Sequence, residues 1–381
     1  MQSSNIVNSF IVNNDKICYY FIQSSTNGGV GVFKNLLKTE SSWEFLQSTT
    51  LPIIIYGTGN GADRVFDEFE KIEIPVSSVC ASDGFVRNRS FRGFQVKSIS
   101  KVESEYEDFV IVLCFASPLA EVIDNIKALS NRHKVIMPSV PVYGDNIFNK
   151  DFLEKHIDEI ELAYSQLADE QSRKVFYNII KFQITGDLDY CFECETDKDE
   201  AFSILNLGEN ESFLDLGAYR GDTVEEFLRY AKSYEKIVAV EPDTRTFKKL
   251  QINCENIENC VTLNNAIWSE NCTLIFDGNK GRGASANKVG EEKRALCVDY
   301  ITENFGDFSY INIDIEGAEN EMLKGAFKSL QNKPKLCMAV YHRSEDIFAL
   351  VNRAKEINPD YKIHLRHHKH ISFWDTNIYC I

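Results

Sequence analysis

Positive charge is scarce in this sequence. Its 41 Lys and Arg residues stand against 57 Asp and Glu, giving a net charge of −16 and a sequence pI near 5.0. Such a surface repels phosphate backbones and anionic membranes, which sets nucleic acid aside as a partner. Long apolar runs are missing too: FVIVLCFASPLAEVI is broken by Pro118 and Glu121 and falls short of the ~20 residues a spanning helix needs. The opening MQSSNIVNSF has no basic region leading into an apolar stretch, so no secretory signal is expected. Fixed-period repeats and low-complexity tracts are absent, which excludes solenoids and disordered tails. The eleven cysteines include one CxxC pair, Cys191 and Cys194, without the second ligand pair that zinc needs or the strand-to-helix setting of thiol–disulfide chemistry. The others are scattered, and Cys114, Cys297 and Cys337 sit in apolar runs, as reduced core thiols of a soluble, cytoplasmic protein do.

What is present is an α/β pattern, in a 381-residue chain long enough for two or three domains. LPIIIYGTGNGADRVFDEFE, residues 51–70, reads as a buried strand, a glycine turn and an amphipathic helix. Gly57, Gly59 and Ala62 fit GxGxxA, and Asp83 lies about where a ribose-binding acid follows such a turn. With further strands in PVSSVCAS and FVIVLCFAS and a helix in LAEVIDNIKALS, residues 51–138 form a small Rossmann-like domain after an N-terminal segment, 1–50. Residues 139–205 carry helical patterning and read as a connector.

A second start is sharper. ESFLDLGAYRGDTVEEFLRYA has Asp215 at its strand end and Gly217 and Gly221 bracketing the turn; KIVAVEPD then ends a second strand in Glu241. An acid there is placed to accept both ribose hydroxyls of a nucleoside cofactor. CVTLNNAIW supplies a third strand closing on Asn265 and Ala266, YINIDIEGAE a fourth and PKLCMAVYH a fifth ending in His342. YKIHLRHH and FWDTNIYCI have no helix between them and should pair as an antiparallel hairpin at the sheet edge. Ligands of open α/β sheets bind beyond the carboxyl ends of the strands, where Asp215, Glu241, Asn265, Asp314, Glu316 and His342 gather.

Taken in order, FLDLGAYRGDT, AVEPD, NNAIW, INIDIEGAE and AVYHRSED resemble the S-adenosylmethionine-dependent methyltransferases of the FkbM type, over residues 206–381. The resemblance implies a class I, seven-stranded methyltransferase domain preceded by the smaller Rossmann-like domain and its helical connector. It also implies S-adenosyl-L-methionine as cofactor, with Asp215, Gly217, Ala218, Tyr219, Gly221, Asp222, Thr223 and Asp314 toward its methionine end. Glu241, Pro242 and Asp243 would then lie at the ribose, and Asn265 and Ala266 at the adenine edge. The implied reaction is O-methylation of a sugar, nucleotide-sugar or glycan hydroxyl, and self-association into a homo-oligomer is compatible with it.

The residues agree with that chemistry. A sulfonium methyl is already activated, so the protein must mainly align an acceptor oxygen, exclude water and remove a proton. The catalytic candidates are His342, whose ordinary pKa suits proton removal, and Asp314 and Glu316, which strand alternation puts on one face with Asn312. Glu319 and Glu321 fall after the Gly317–Ala318 switch to helix and read as first-turn acids with a structural role. Asp314, Glu316, His364, His367, His368 and His370 could supply metal donors, but alternation splits the histidines of HLRHHKH between faces, and no metal site is assigned. The insert SENCTLIFDGNKGRGASANK reads as a hairpin with a Gly-rich tip, either a lid or a plain loop. Competing readings are a nicotinamide-dependent oxidoreductase using GTGNGA and a non-catalytic nucleotide-binding scaffold.

Overall fold

The computed structural model describes residues 31–86, 88–276 and 291–381. The first sheet uses β1 (Ile53–Tyr56), β2 (Ser78–Ala81), β3 (Ser90–Phe91), β4 (Phe94–Ser98), β5 (Val110–Leu113) and β6 (Lys134–Ile136), in the order β3-β4-β2-β1-β5-β6. All neighbours are parallel except the β3–β4 hairpin. β1 and β5 read as unbroken apolar runs because helices cover both faces of a parallel sheet. The helix Asn60–Lys71 buries Ala62, Val65, Phe66 and Phe69, a stripe at helical spacing. The sequence reading found β1, β2 and β5 and missed β3, β4 and β6.

The second half continues with β7 (Glu211–Leu216), β8 (Tyr234–Val240), β9 (Cys260–Leu263), β10 (Ala266–Ile267), β11 (Cys272–Phe276), β12 (Glu291–Leu296), β13 (Tyr310–Ile313), β14 (Lys335–Ala339), β15 (Ile363–His367) and β16 (Thr376–Cys380). Seven of these form a sheet ordered β15-β16-β14-β13-β7-β8-β9, parallel except for β16, which runs antiparallel between β14 and β15. This is the expected seven-stranded plan, with the closing hairpin at one edge. One expectation needs correction: CVTLNNAIW is not a single strand. After Leu263 the chain bends, and β10 leaves to pair with β12 in a three-stranded sheet completed by β11. β11 and β12 are the antiparallel arms of the insert hairpin; its Gly-rich tip, read as a lid or loop, lies outside the described residues.

The helices between residues 150 and 205 line the β15 edge. Leu167 and Glu195 form bridges to Ile363 and His367, and Asp169 caps the helix Glu170–Thr185 while taking Arg366 Nη2 at 2.8 Å. The exit from β6 also docks on the second sheet. Tyr143 N donates to His342 O (2.9 Å), Ser344 Oγ donates to Asn146 O (2.5 Å), and Ile371 N donates to Ser117 O, just beyond β5 (2.9 Å). Loops at the carboxyl ends of both sheets thereby meet. Among the described residues no helix is long and apolar enough to cross a membrane.

Candidate active site

The turn after β7 is built by close approach. Gly217 has φ +88°, and a Cβ there would stand 1.8 Å from Asp314 O, so only glycine fits. Its N–H is spent on Val240 O, tying the ends of β7, β8 and β13 together. Tyr219 holds φ +46°, and its amide donates to Glu241 Oε2 at 3.0 Å; the Asp243 amide donates to Oε1 at 2.8 Å. Glu241 is thus fixed in place at the tip of β8. Asn264, which the sequence reading passed over, donates to the carbonyls of Glu241 (2.8 Å) and Pro242 (3.2 Å), and its own Oδ1 takes buried Lys293 at 3.1 Å.

Several of the turn residues expected at the cofactor also serve the scaffold. Asp215 is fully buried and accepts hydrogen bonds from Thr223 Oγ1 and Asn312 Nδ2; burial pushes its carboxyl up to about 7 against those two bonds. Ala218 is fully buried, and Gly221, with φ +90°, packs toward Leu250 and Cys254. Asp243 caps the helix Thr244–Cys254, and Asp222 is an exposed first-turn acid of the helix Asp222–Tyr230. Ala266 is buried in β10. Asn265 lies in the bend, donates to Arg294 O at 3.1 Å, and lines a cavity of about 240 Å³ with Leu263, Tyr300 and Phe305. Pro242 is half-buried beside Glu241.

Beyond β13 the acids converge on one imidazole. His342 follows β14, and its side chain is 1% exposed. Its Nδ1 meets Glu319 Oε1 at 2.9 Å, while Nε2 stands 3.3 Å from Asp314 Oδ1 and 3.4 Å from Glu316 Oε2. Glu316 reaches this position from a turn with φ +59°, so the two acids share a pocket through the turn and not through strand alternation, which stops at Ile313. Tyr341 Oη donates to Asp314 Oδ2 at 3.1 Å, and Tyr143 packs against Gly317 and the His342 ring. Asp314 keeps 43% of its side chain exposed, which makes it the carboxylate facing the cleft.

Glu319 is a first-turn acid of the helix Glu319–Lys324, as expected, but it is fully buried, and its Oε1 accepts from the amides of Ile315 (3.2 Å) and Gly317 (3.3 Å) as well as meeting His342. Burial opposes charge on His342, but Glu319 and Asp314 outweigh it and hold the imidazole pKa well above its ordinary value. That favours the charged imidazolium. Burial, reinforced by Glu319, likewise holds Asp346 well above the usual carboxylate range. The HLRHHKH histidines lie elsewhere, each with its own partner: His364 on Asp169, His367 on Thr376, His368 between Thr196 O and Tyr379 Oη, and His370 on Ile371 O.

The donor set suits S-adenosylmethionine. A fixed carboxylate ends the second strand beside a glycine turn, and an acid at the fourth strand end can face the cofactor's cationic end. Residues 215–370 match the family model described as "Methyltransferase FkbM domain". The fold is similar to that of a methyltransferase FkbM from Methylobacillus flagellatus KT, at TM-score 0.65 and 19% identity over 93% of this chain and 94% of that one. A fibrillarin of Aeropyrum pernix, solved with natively bound S-adenosyl-L-methionine, aligns over 48% of this chain and 74% of its own, at 14% identity and TM-score 0.32. No curated protein matches. Residues 215–370 are an FkbM-type methyltransferase domain, and the protein is a methyltransferase whose cofactor is S-adenosyl-L-methionine.

Proposed function

We propose that the protein O-methylates a sugar hydroxyl, on a nucleotide-linked or glycan precursor, in the cytoplasm. The supporting observation is the position of Asp314: a partly exposed carboxylate whose backbone carbonyl abuts the glycine turn and whose side chain shares a pocket with Glu316 and His342. A hydroxyl acceptor must lose a proton, and an acid beside the methyl donor can receive it. The ten described cysteines are all free thiols, as suits a reducing compartment.

When bound, S-adenosylmethionine supplies a methyl group already activated by its sulfonium. Glu241 would accept hydrogen bonds from the ribose hydroxyls, and the Gly217–Tyr219 backbone shapes the adjoining wall. Asp314 takes the proton of the acceptor hydroxyl, with Glu316 beside it. His342, clamped by Glu319, positions Asp314 and offsets the charge of the neighbouring acids. Tyr341 fixes the far oxygen of Asp314, leaving the carboxylate one orientation toward the acceptor. Self-association has no part in this geometry, although a homo-oligomer is compatible with it.

The test is incubation of the full chain with methyl-labelled S-adenosylmethionine and a panel of nucleoside-diphosphate sugars, free sugars and oligosaccharides. A base-stable methyl ether on a sugar is expected. Label found only on amines or carboxylates would remove the sugar hydroxyl as acceptor.

A further inference from the structure

Two arginines, one from each half of the molecule, meet at a single glycine. The loop leaving β6 carries Tyr143, whose amide donates to His342 O (2.9 Å), and Gly144, whose carbonyl accepts from Arg64 Nη1 (2.9 Å). Arg64 lies in the second turn of the helix Asn60–Lys71, just after the first glycine turn. Arg343, the residue after His342, reaches the same loop from the second sheet. Gly144 has φ +80°, and a Cβ on it would stand 3.2 Å from Arg343 Nη1.

Neither guanidinium is neutralised by an acid of the chain. Arg343 spends Nε on Gly317 O (2.8 Å) and Arg64 spends Nη1 on Gly144 O, both carbonyls, and neither side chain has a carboxylate partner among the described residues. The acids beside them in sequence are used otherwise: Asp63 pairs with Arg92 at 2.7 Å, and Asp346 accepts the backbone amide of Arg343 at 2.8 Å. Arg92 and Arg366, by contrast, each hold more than one carboxylate. Like charges brought to one loop repel, and an anion between them turns that cost into attraction. A guanidinium anchored through Nε presents its two Nη groups in a fixed plane, a fork that fits two oxygens of a phosphate. A chain of net charge −16 repels an anionic ligand from its surface at large, so cations at the point of binding are what such a ligand needs.

We infer that Arg343 and Arg64 form a binding site for a phosphate group carried by the acceptor. Two guanidiniums match the charge of a phosphate or diphosphate better than that of a single carboxylate. The site adjoins the proposed reaction centre, because His342 directly precedes Arg343 and its Nε2 stands 3.3 Å from Asp314 Oδ1. A phosphate held there tethers the rest of the acceptor beside Asp314, while the Tyr143–Gly144 loop links the two halves around it. That the tethered group is a sugar hydroxyl rests on the function proposed above. The phosphate site itself does not.

The experiment is calorimetry on the full chain with inorganic pyrophosphate alone, at physiological ionic strength, and separately with glucuronate. Saturable binding of pyrophosphate is expected, with glucuronate much weaker. Arg343→Gln and Arg343→Lys should both weaken pyrophosphate about tenfold to a hundredfold, since lysine keeps the charge and loses the fork. Arg64→Gln should weaken it about tenfold. Affinity for S-adenosylhomocysteine should stay unchanged in all three, which separates this site from one for the cofactor's own carboxylate. Because Arg343 also holds Gly317 O, its variants can disturb that turn; Arg64 bonds only the Gly144 carbonyl among the described residues, so Arg64→Gln carries the test if the Arg343 variants melt lower. No saturable pyrophosphate binding, unchanged affinity in a folded Arg64→Gln, tighter binding of glucuronate, or a parallel loss of S-adenosylhomocysteine affinity would overturn the site. No methyl transfer is measured, so failure of the phosphate site is distinct from failure of the sugar acceptor, which the labelled-methyl assay decides.

Discussion

The molecule contains the same opening twice, a buried strand, a glycine turn and an amphipathic helix, at residues 53–71 and 211–230. In the first, a Cβ on Gly59 would meet nothing within 4 Å, and Asp83, the acid in the ribose position, accepts from Ser100 N at 3.2 Å. In the second, Gly217 is pressed onto Asp314 O, and Glu241 is clamped by the amides of Tyr219 and Asp243. The glycines look alike in sequence. What separates the two turns is what lies across the sheet from them: the second abuts a strand end carrying Asp314, Glu316 and the buried Glu319–His342 pair.

Paired substitutions put that contrast under strain. Gly217→Ala should abolish methyl transfer and destabilise by about 3 kcal/mol or more, because the new Cβ overlaps a backbone oxygen at a positive φ. Gly59→Ala, in open space, should cost about 1 kcal/mol or less. Thermal melting and a methyl-transfer assay of both proteins decide it; equal tolerance would erase the distinction between the turns.

The next contrast lies within one helix. Glu319→Gln should cut turnover by about 10² or more and destabilise by about 3 kcal/mol, the scale for breaking a buried charge pair. Glu321→Gln, which loses only a half-exposed partner in Lys324, should stay within about 0.5 kcal/mol with normal turnover. An active, stable Glu319→Gln would show that its contact with His342 matters to neither fold nor turnover.

Acid sensitivity should also divide the halves. Burial lowers His367 to about 3 from the ordinary 6.5 and lowers His368 and His370 as well, so the folded chain keeps these rings neutral. The unfolded chain takes up their protons first as pH falls below 6.5, and stability drops from there toward pH 3. Melting temperature should therefore fall between about pH 7 and about pH 4, with amide protection lost first at β15 and β16. Flat stability over that window, or earlier loss in the first sheet, would contradict the assignment.

The parallel core was legible because strands buried on both faces, such as IIIY, VIVL and YINI, read as unbroken apolar runs. β4 was not, since FQVKS buries only Val96. The β9–β10 bend hides inside the continuous CVTLNNAIW, and one residue of register there decides that Asn264, and not Asn265, secures the Glu241 loop. Asp314, Glu316 and His342 stood out as candidates because they follow strand ends. Glu319 was rightly placed in the first helical turn, but its burial was not legible, because that depends on His342, 23 residues away. Nor could the sequence show that Asp215, a strand-tip acid, turns inward onto Asn312.

The most direct test of which turn holds the cofactor is calorimetry on the full chain with S-adenosylhomocysteine and, separately, NADH. Wild-type protein should bind S-adenosylhomocysteine, and Glu241→Ala should weaken it ten- to a hundredfold, the loss expected when hydrogen bonds to a charged group, about 1.5–3 kcal/mol, are removed. NADH should give no saturable heat. Unchanged S-adenosylhomocysteine affinity in Glu241→Ala, or saturable NADH binding abolished by Gly59→Val, would contradict the account and move the cofactor to the first turn.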